Sequence, residues 1–102
     1  MSIFDIDKQI YDDSEITWEA LENLGFLKVT NKFARRLYHN YRIEIGPIPE
    51  RGIWWIMVFD GWDSLYAIKD KDVKDIEGVK YILLETLNLD KKKDHEIYSR
   101  LP

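Results

Sequence analysis

The sequence contains no cysteine, which excludes disulfide bonds and thiolate chemistry and makes an oxidising compartment unnecessary. Histidine is also scarce: His39 and His95 have no further ligands at the usual metal-binding spacings and no paired nucleophile. No glycine-rich phosphate loop is present, since GPIPERG at residues 46–52 matches no nucleotide-binding fingerprint. We therefore expect no catalytic residue, no metal and no cofactor, and predict that the protein is not an enzyme.

Long apolar runs are missing as well. The longest is Ile53–Phe59, far short of the roughly 20 residues of a membrane helix. The amino terminus is acidic where a secretory leader would be basic. With 102 residues, 45% hydrophobic and 33% charged, we expect one globular domain over residues 1–102, in the cytoplasm and without a membrane partner.

Charge is unevenly distributed along the chain, whose net charge is -4. Residues 1–22 carry seven acids and one base, whereas residues 28–43 carry five bases and no acid. This separation either steers a charged partner or reflects two solvated faces of a small domain, and both readings stay open.

The residue pattern predicts an α+β fold: a short helix, an antiparallel meander of three or four strands, and a carboxy-terminal helix on the same sheet face. Thr17 is a suitable N-cap and Gly25 a suitable stop for the first helix, whose buried stripe is Trp18, Leu21 and Leu24. Residues 1–15 are predicted to form an arm. Strands are expected at residues 26–29 and 33–45, with a turn at His39–Asn40 in the second.

Residues 46–52 are predicted to be a loop, because their prolines and glycines interrupt strand pairing. The dipeptide Asp60–Gly61 predicts a two-residue turn between strands at 53–59 and 62–68. This turn fixes the register. The predicted pairs are Phe59–Trp62, Met57–Ser64, Trp55–Tyr66 and Ile53–Ile68 on one face, and Val58–Asp63, Ile56–Leu65 and Trp54–Ala67 on the other. From about residue 72 the spacing of the apolar residues becomes that of a helix. The expected buried positions are Val73, Ile76, Val79, Ile82, Leu83, Leu87 and Leu89. The charged tail, residues 90–102, is predicted to be frayed or loosely docked.

The strand IWWIMVFD is apolar on both of its faces, so each face needs cover. With the predicted turn, Ile56, Val58, Leu65 and Ala67 suit helix packing, and the opposite aromatic face is left over. Its cover is then the chain's own arm, a second copy in a homodimer, or another macromolecule. The opposite arrangement, in which the aromatic residues form the core, stays open as well, so the sequence leaves undecided which sheet face packs against the helices. Aromatic residues concentrate binding energy in interfaces. The candidate partner-binding residues are Trp55, Phe59, Asp60, Trp62, Asp63 and Tyr66.

A second candidate is a nucleic-acid or nucleotide site in the basic segment 28–43. Cations interleaved with aromatic rings are typical of proteins that bind single strands. The candidate residues are Arg35, Arg36, Tyr38, Tyr41 and Arg42. The low sequence pI of about 5.1 argues against this alternative.

The order of elements supplies a resemblance. The phrases ITWEALENLGF, YRIEI, WWIMVFDGWDSLYAIK and IKDKDVKDIEGVKYILLETL follow one another between residues 15 and 89. This arrangement resembles small uncharacterised α+β proteins of phages and prophages. The resemblance implies a protein that binds and blocks host machinery, with defence systems such as CRISPR nucleases among the targets. We therefore expect a stoichiometric inhibitor that binds a protein through its aromatic sheet face.

Overall fold

The computed structural model describes residues 15–99, so the expected arm at residues 1–15 lies almost entirely outside the described residues. Five antiparallel strands form one sheet in chain order. The elements are helix α1 (Trp18–Asn23), strands β1 (Leu27–Thr30), β2 (Phe33–Leu37), β3 (Tyr41–Ile48), β4 (Ile53–Asp60) and β5 (Ala67–Val73), and helix α2 (Ile76–Ser99). The predicted α+β fold is confirmed, with one strand more than the three or four expected.

Helix α1 begins and ends as its sequence predicts. The Thr17 hydroxyl accepts a hydrogen bond from the Ala20 amide at 3.0 Å, which satisfies a free donor of the first turn. Gly25 takes a left-handed φ of +91°, and the next amide, of Phe26, donates back to the Leu21 carbonyl at 3.0 Å. Leu21 is fully buried, and Trp18 and Leu24 pack against the same core.

The turn between β2 and β3 is also confirmed, with the Tyr38 amide donating to the Tyr41 carbonyl at 2.8 Å. The predicted loop at 46–52 is wrong in its first half, because β3 continues to Ile48, which pairs with Ile53. Pro47 can remain in β3 because it lies beyond the last pair with β2, where a missing N–H breaks no ladder bond. Residues 49–52 leave the sheet, with Pro49–Arg51 forming a short 3-10 turn and Gly52 ending it.

The hairpin of β4 and β5 exists, but its predicted turn and register are wrong. Strand β4 runs through Asp60, a six-residue loop follows at 61–66, and Phe59 pairs with Ala67 instead of Trp62. The other predicted partners shift likewise: Trp54, Trp55, Ile56, Met57 and Val58 pair with Val73, Asp72, Lys71, Asp70 and Lys69. A direct reversal is prevented because the Gly61 amide donates to the Asn40 carbonyl at 2.8 Å, which ties the chain to the β2–β3 turn.

The hydrophobic core lies between one face of the sheet and both helices. Of the two facings that the sequence leaves open, the structure has Ile56 and Val58 toward the helices, together with Ala34, Ile43, Ile45 and Val73. Leu65 and Ala67, which were expected beside them, are exposed, because the longer loop removes Leu65 from the sheet and shifts the pairing. The opposite face, here called the open face, carries Arg35, Leu37, Arg42, Glu44, Trp55, Met57 and Phe59.

Helix α2 begins where the Asp75 carboxylate accepts a hydrogen bond from the Gly78 amide at 2.9 Å. Its predicted buried positions Ile76, Val79, Ile82 and Leu83 are confirmed. Val73 is buried too, but in β5. Leu89 is exposed and Leu87 is half-buried, because the buried stripe continues through two polar residues, Thr86 and Asp90.

The predicted loose tail is wrong for the residues that the structure describes, since α2 continues to Ser99. Asp90 accepts hydrogen bonds from the Asn40 backbone amide at 2.7 Å and from its side-chain amide at 3.0 Å. The Asn40 side-chain amide also donates to Asp94 at 2.8 Å, and this hydrogen bond holds the pKa of the Asp94 carboxyl below its ordinary value. His39 pairs with Asp94 at 2.7 Å. These polar contacts dock the second half of α2 on the β2–β3 turn.

We predict that Asp90→Ala lowers the free energy of unfolding by about 2–3 kcal/mol, because it strands two Asn40 donors that now bond a buried carboxylate. Alanine is the better helix former, so a loss cannot come from helix propensity. Urea denaturation followed by circular dichroism measures the effect. The exposed neighbour serves as control: Lys91→Ala should change stability by less than about 0.5 kcal/mol. Equal stability of the two variants would contradict the polar anchor.

Candidate interaction surface

The open face is not packed against α1 or α2, and strand pairing fixes its rows. One row runs Leu37, Arg42, Phe59, Ala67; the next runs Leu27, Arg35, Glu44, Met57, Asp70; the third includes Gly46, Trp55 and Asp72. Within residues 15–99 the side chains of these rows therefore have to shield one another.

Trp55 covers the third row by lying directly on Gly46. A Cβ atom at position 46 would stand 2.6 Å from Cζ2 of the Trp55 indole and 2.2 Å from the Lys32 carbonyl oxygen. Only a residue without a side chain permits this approach. The indole is consequently half-buried without any help from a helix.

Arg42 covers the first row. Its guanidinium lies 4.0 Å from the centroid of the Phe59 ring, which leaves Phe59 only 7% exposed although it is not part of the main core. Glu44 accepts a hydrogen bond from Arg35 Nε at 3.1 Å and lies 3.4 Å from Arg42 Nε. One carboxylate thus serves two guanidinium groups, and the cluster keeps one net positive charge.

Arg42 also organises the loop at residues 61–66, here called the aromatic loop. It donates to the carbonyl oxygens of Trp62 and of Ser64, the latter at 2.9 Å. The Trp62 indole N–H donates to the Tyr38 carbonyl at 2.9 Å. The loop backbone is therefore tied down, while Trp62 remains 53% exposed and Tyr66 83% exposed.

The structure brings most of the predicted partner-binding residues to one region. Phe59 lies under Arg42, and Arg42 holds the aromatic loop that carries Trp62, Asp63 and Tyr66. The two remaining candidates are elsewhere. Trp55 lies two rows away on the open face. Asp60, the last residue of β4, pairs with Tyr41 of β3 on the helix face, where it binds Lys93 and raises the pKa of that ammonium group.

The alternative nucleic-acid set is divided between the two faces of the sheet, because successive residues of a strand alternate. Arg35 and Arg42 lie on the open face with Glu44. Arg36 lies on the other face, donates to the Leu24 carbonyl at 2.6 Å and stacks on Tyr38.

The two tyrosines of that set belong to the helix side. The Tyr38 hydroxyl donates to the Leu83 carbonyl at 3.2 Å, and Tyr41 is buried beneath Lys93. Burial raises the pKa of both phenols. Cations and rings therefore do not form the single strip that the sequence order suggests.

Sequence reasoning missed three exposed apolar side chains at the β1–β2 edge, namely Leu27, Val29 and Leu37. The alternation in FARRL and YRIEI carries the signal that Arg35, Leu37, Arg42 and Glu44 share a face. The bonds from Arg42 to the aromatic loop had no such signal, because they depend on the length of that loop.

Comparison with protein-family models, curated proteins and solved structures gives no match to this chain. Among residues 15–99, acidic and histidine side chains form no cluster of three or more that could hold a metal ion. Neither α1 nor α2 combines the length and the apolar character needed to cross a membrane.

We predict that Gly46→Ala destabilises the protein by about 1–3 kcal/mol, because the new methyl group would overlap the Trp55 indole and the Lys32 carbonyl. Thermal unfolding measures the change. Gly78→Ala in α2 is the matched control. Its methyl group meets only ordinary contacts, with Val73 and Asp75, so the substitution should stabilise the protein by up to about 1 kcal/mol. If both variants were stabilised, the contact of Trp55 with Gly46 would be refuted.

We predict that Arg42→Met releases the aromatic loop while keeping an apolar stem over Phe59. The hydrogen exchange of the Trp62 indole N–H, followed by NMR, should accelerate roughly tenfold. This corresponds to a loss of about 1.4 kcal/mol in the free energy of local opening. Arg51→Met removes an exposed ion pair with Asp72 and should leave this exchange unchanged. Unchanged exchange in Arg42→Met would show that the loop does not depend on the guanidinium.

Proposed function

We propose that this protein is a non-enzymatic binding protein that contacts a protein partner through the aromatic loop and the adjoining open face. The observation that carries the proposal is the combination of a fastened backbone with exposed rings. Arg42 and Tyr38 hold the loop, yet Trp62 and Tyr66 point their rings largely into solvent.

Preorganisation is what makes these rings suitable for binding. A side chain that is already held loses less conformational entropy when a partner covers it. Aromatic rings contribute disproportionately to binding energy because they bury a large apolar area with few rotatable bonds. Leu65, 86% exposed beside them, extends the apolar surface of the loop.

The exposed rings have no evident structural purpose in the rest of the described chain. The core contains its own aliphatic and aromatic residues, and Trp62 contributes to the fold mainly through one indole hydrogen bond. Exposed apolar groups of this size and grouping are typical of interaction sites. They support a binding role for the loop.

The finer part of the proposal follows the resemblance to phage and prophage proteins. In that context the protein binds a host macromolecule in a fixed ratio and blocks it, with a defence nuclease as one class of target. Acidic Asp63 beside Trp62 suits a partner that presents basic groups next to an apolar pocket.

Site-specific photo-crosslinking tests the proposed surface. We predict that a photoreactive phenylalanine at Tyr66 yields one discrete protein adduct in cells of the native host. The same residue at Tyr81, an exposed tyrosine on the outer side of α2, should yield none. Adducts from Tyr81 alone would place the binding surface on the helix and refute the proposal.

The captured partner then allows two further measurements within the same test. Trp62→Ala should weaken its binding by about tenfold or more, while the thermal unfolding midpoint stays nearly unchanged. The partner's activity should fall in proportion to added protein and reach its limit at an equimolar ratio. Complete inactivation at a small fraction of that ratio would indicate turnover and contradict a non-enzymatic role.

A further inference from the structure

We infer that the outer edge of β1 binds an extended segment of a partner protein, rich in acidic and apolar residues, as a sixth strand of the sheet. This inference rests on the proposed function, since it assumes a protein partner, and it adds a second contact with a stated binding mode. Main-chain hydrogen bonds would supply affinity, and alternate side chains would supply specificity.

The two edges of the sheet differ in their protection. Edge strands are usually shielded from pairing by charged residues. Strand β5 follows this rule, with charges of alternating sign from Lys69 to Asp72. Strand β1 has the sequence LKVT, with two apolar residues, one charge and all four side chains exposed. Each edge strand has one register irregularity, near Phe59 for β5 and between Lys28 and Thr30 for β1, so charge is what distinguishes them. Among residues 15–99, β1 is the edge with less charge to oppose another strand.

An apolar groove follows this edge and is lined by residues of both sheet faces. It is lined by Gly25, Leu27, Val29, Arg35, Arg36 and Leu37. Leu27 is 74% exposed, and Val29 and Leu37 are each exposed by nearly half. An added strand would place every second side chain over these residues, which is the arrangement that strand addition uses for specificity.

The charge of the groove selects the partner's chemistry. Among the described residues, its lining includes Arg35 and Arg36 and no carboxylate. Arg35 shares Glu44 with Arg42, and this cluster keeps one net positive charge. Lys32 is exposed on the turn after β1. Lys28 lines a separate groove between α1 and β1 together with the acids Glu19 and Glu22. An incoming strand whose apolar residues alternate with aspartate or glutamate complements both the apolar and the basic groups.

The same charges disfavour a second copy of the chain at this edge. Antiparallel pairing of two β1 strands would bring Lys28 and Lys32 of both copies close together, and like charges across neighbouring strands are destabilising. An acidic foreign strand has the opposite effect. The proposal therefore commits to a partner protein as the occupant.

Titration of the full-length isotope-labelled protein with short synthetic peptides tests the inference. The peptides alternate valine or isoleucine with glutamate, and matched controls carry lysine in place of glutamate. We expect saturable NMR shift changes centred on residues 25–37 and slower amide exchange in β1. The lysine peptides should bind at least about tenfold more weakly. Equal binding of both series, or shift changes confined to other residues, would overturn the inference.

Two variants with the same substitution provide the matched comparison. Leu27→Glu places a negative charge in the groove and should weaken binding of the acidic peptides by about tenfold or more. Leu65→Glu alters an equally exposed leucine in the aromatic loop and should leave peptide binding unchanged. Light scattering that shows a dimer, lost in Leu27→Glu, would identify a second copy as the occupant and refute the inference.

The chain's own amino-terminal residues are the remaining rival. Peptide binding that appears only after Ile3, Phe4 and Ile6 are replaced by serine would show that they occupy the edge, and would overturn the inference. Failure here is distinguishable from failure of the proposed function. An adduct at Tyr66 with no peptide bound at β1 would retain the aromatic loop as the binding surface and remove only the strand-addition mode.

Discussion

Arg42 stabilises the open face of the sheet, which neither helix covers. Because both helices pack on one side, the residues of the opposite side have to exclude water from one another. Arg42 does this by lying flat on Phe59, sharing Glu44 with Arg35, and bonding two carbonyl groups of the aromatic loop. A guanidinium group suits this position because it is planar enough to stack and has enough donors for several acceptors. The open face is thus a thin polar and aromatic layer rather than a second core, and the buried Arg42 Nε within it has no hydrogen-bond partner among the described residues.

The β2–β3 turn has the corresponding role at one end of the molecule. Asn40 bonds Asp90 and Asp94 of α2, and its carbonyl accepts from Gly61 at the start of the aromatic loop. The far half of α2 is therefore fixed by hydrogen bonds and by the Lys93–Asp60 ion pair. The other buried polar side chain of α2, Thr86, is also paired. Its hydroxyl donates to the Ile82 carbonyl of the same helix at 2.7 Å, so this donor is satisfied.

The sequence predicted the features that depend on local patterns. The cap of α1, the stop at Gly25 and the turn at His39–Asn40 are all specified within a few residues, whereas the side of β4 that faces the helices is not. The errors have long-range causes. Pro47 is tolerated in β3 only because β2 ends before it, and the two-residue turn at Asp60–Gly61 gives way to contacts with Asn40 and Arg42. A hydrophobic period does not reveal that Asp90 is a buried contact residue. The sequence pattern predicts that the partner-binding candidates share one aromatic strand face, whereas Trp62 and Tyr66 belong to a loop held beside Phe59.

The dense bonding around Asn40 contrasts with the 3-10 turn at Pro49–Arg51, and the contrast governs where the chain tolerates additions. A residue inserted at position 40 would displace the partners of α2 and of the loop together. Glu50 and Arg51, by contrast, are exposed, whereas Gly52 has a left-handed φ of +66° that favours glycine and is best left unchanged. A fluorophore or an affinity handle is therefore best attached at this connection, where it would be joined to the rigid β3–β4 ladder and leave both the aromatic loop and the β1 edge unobstructed.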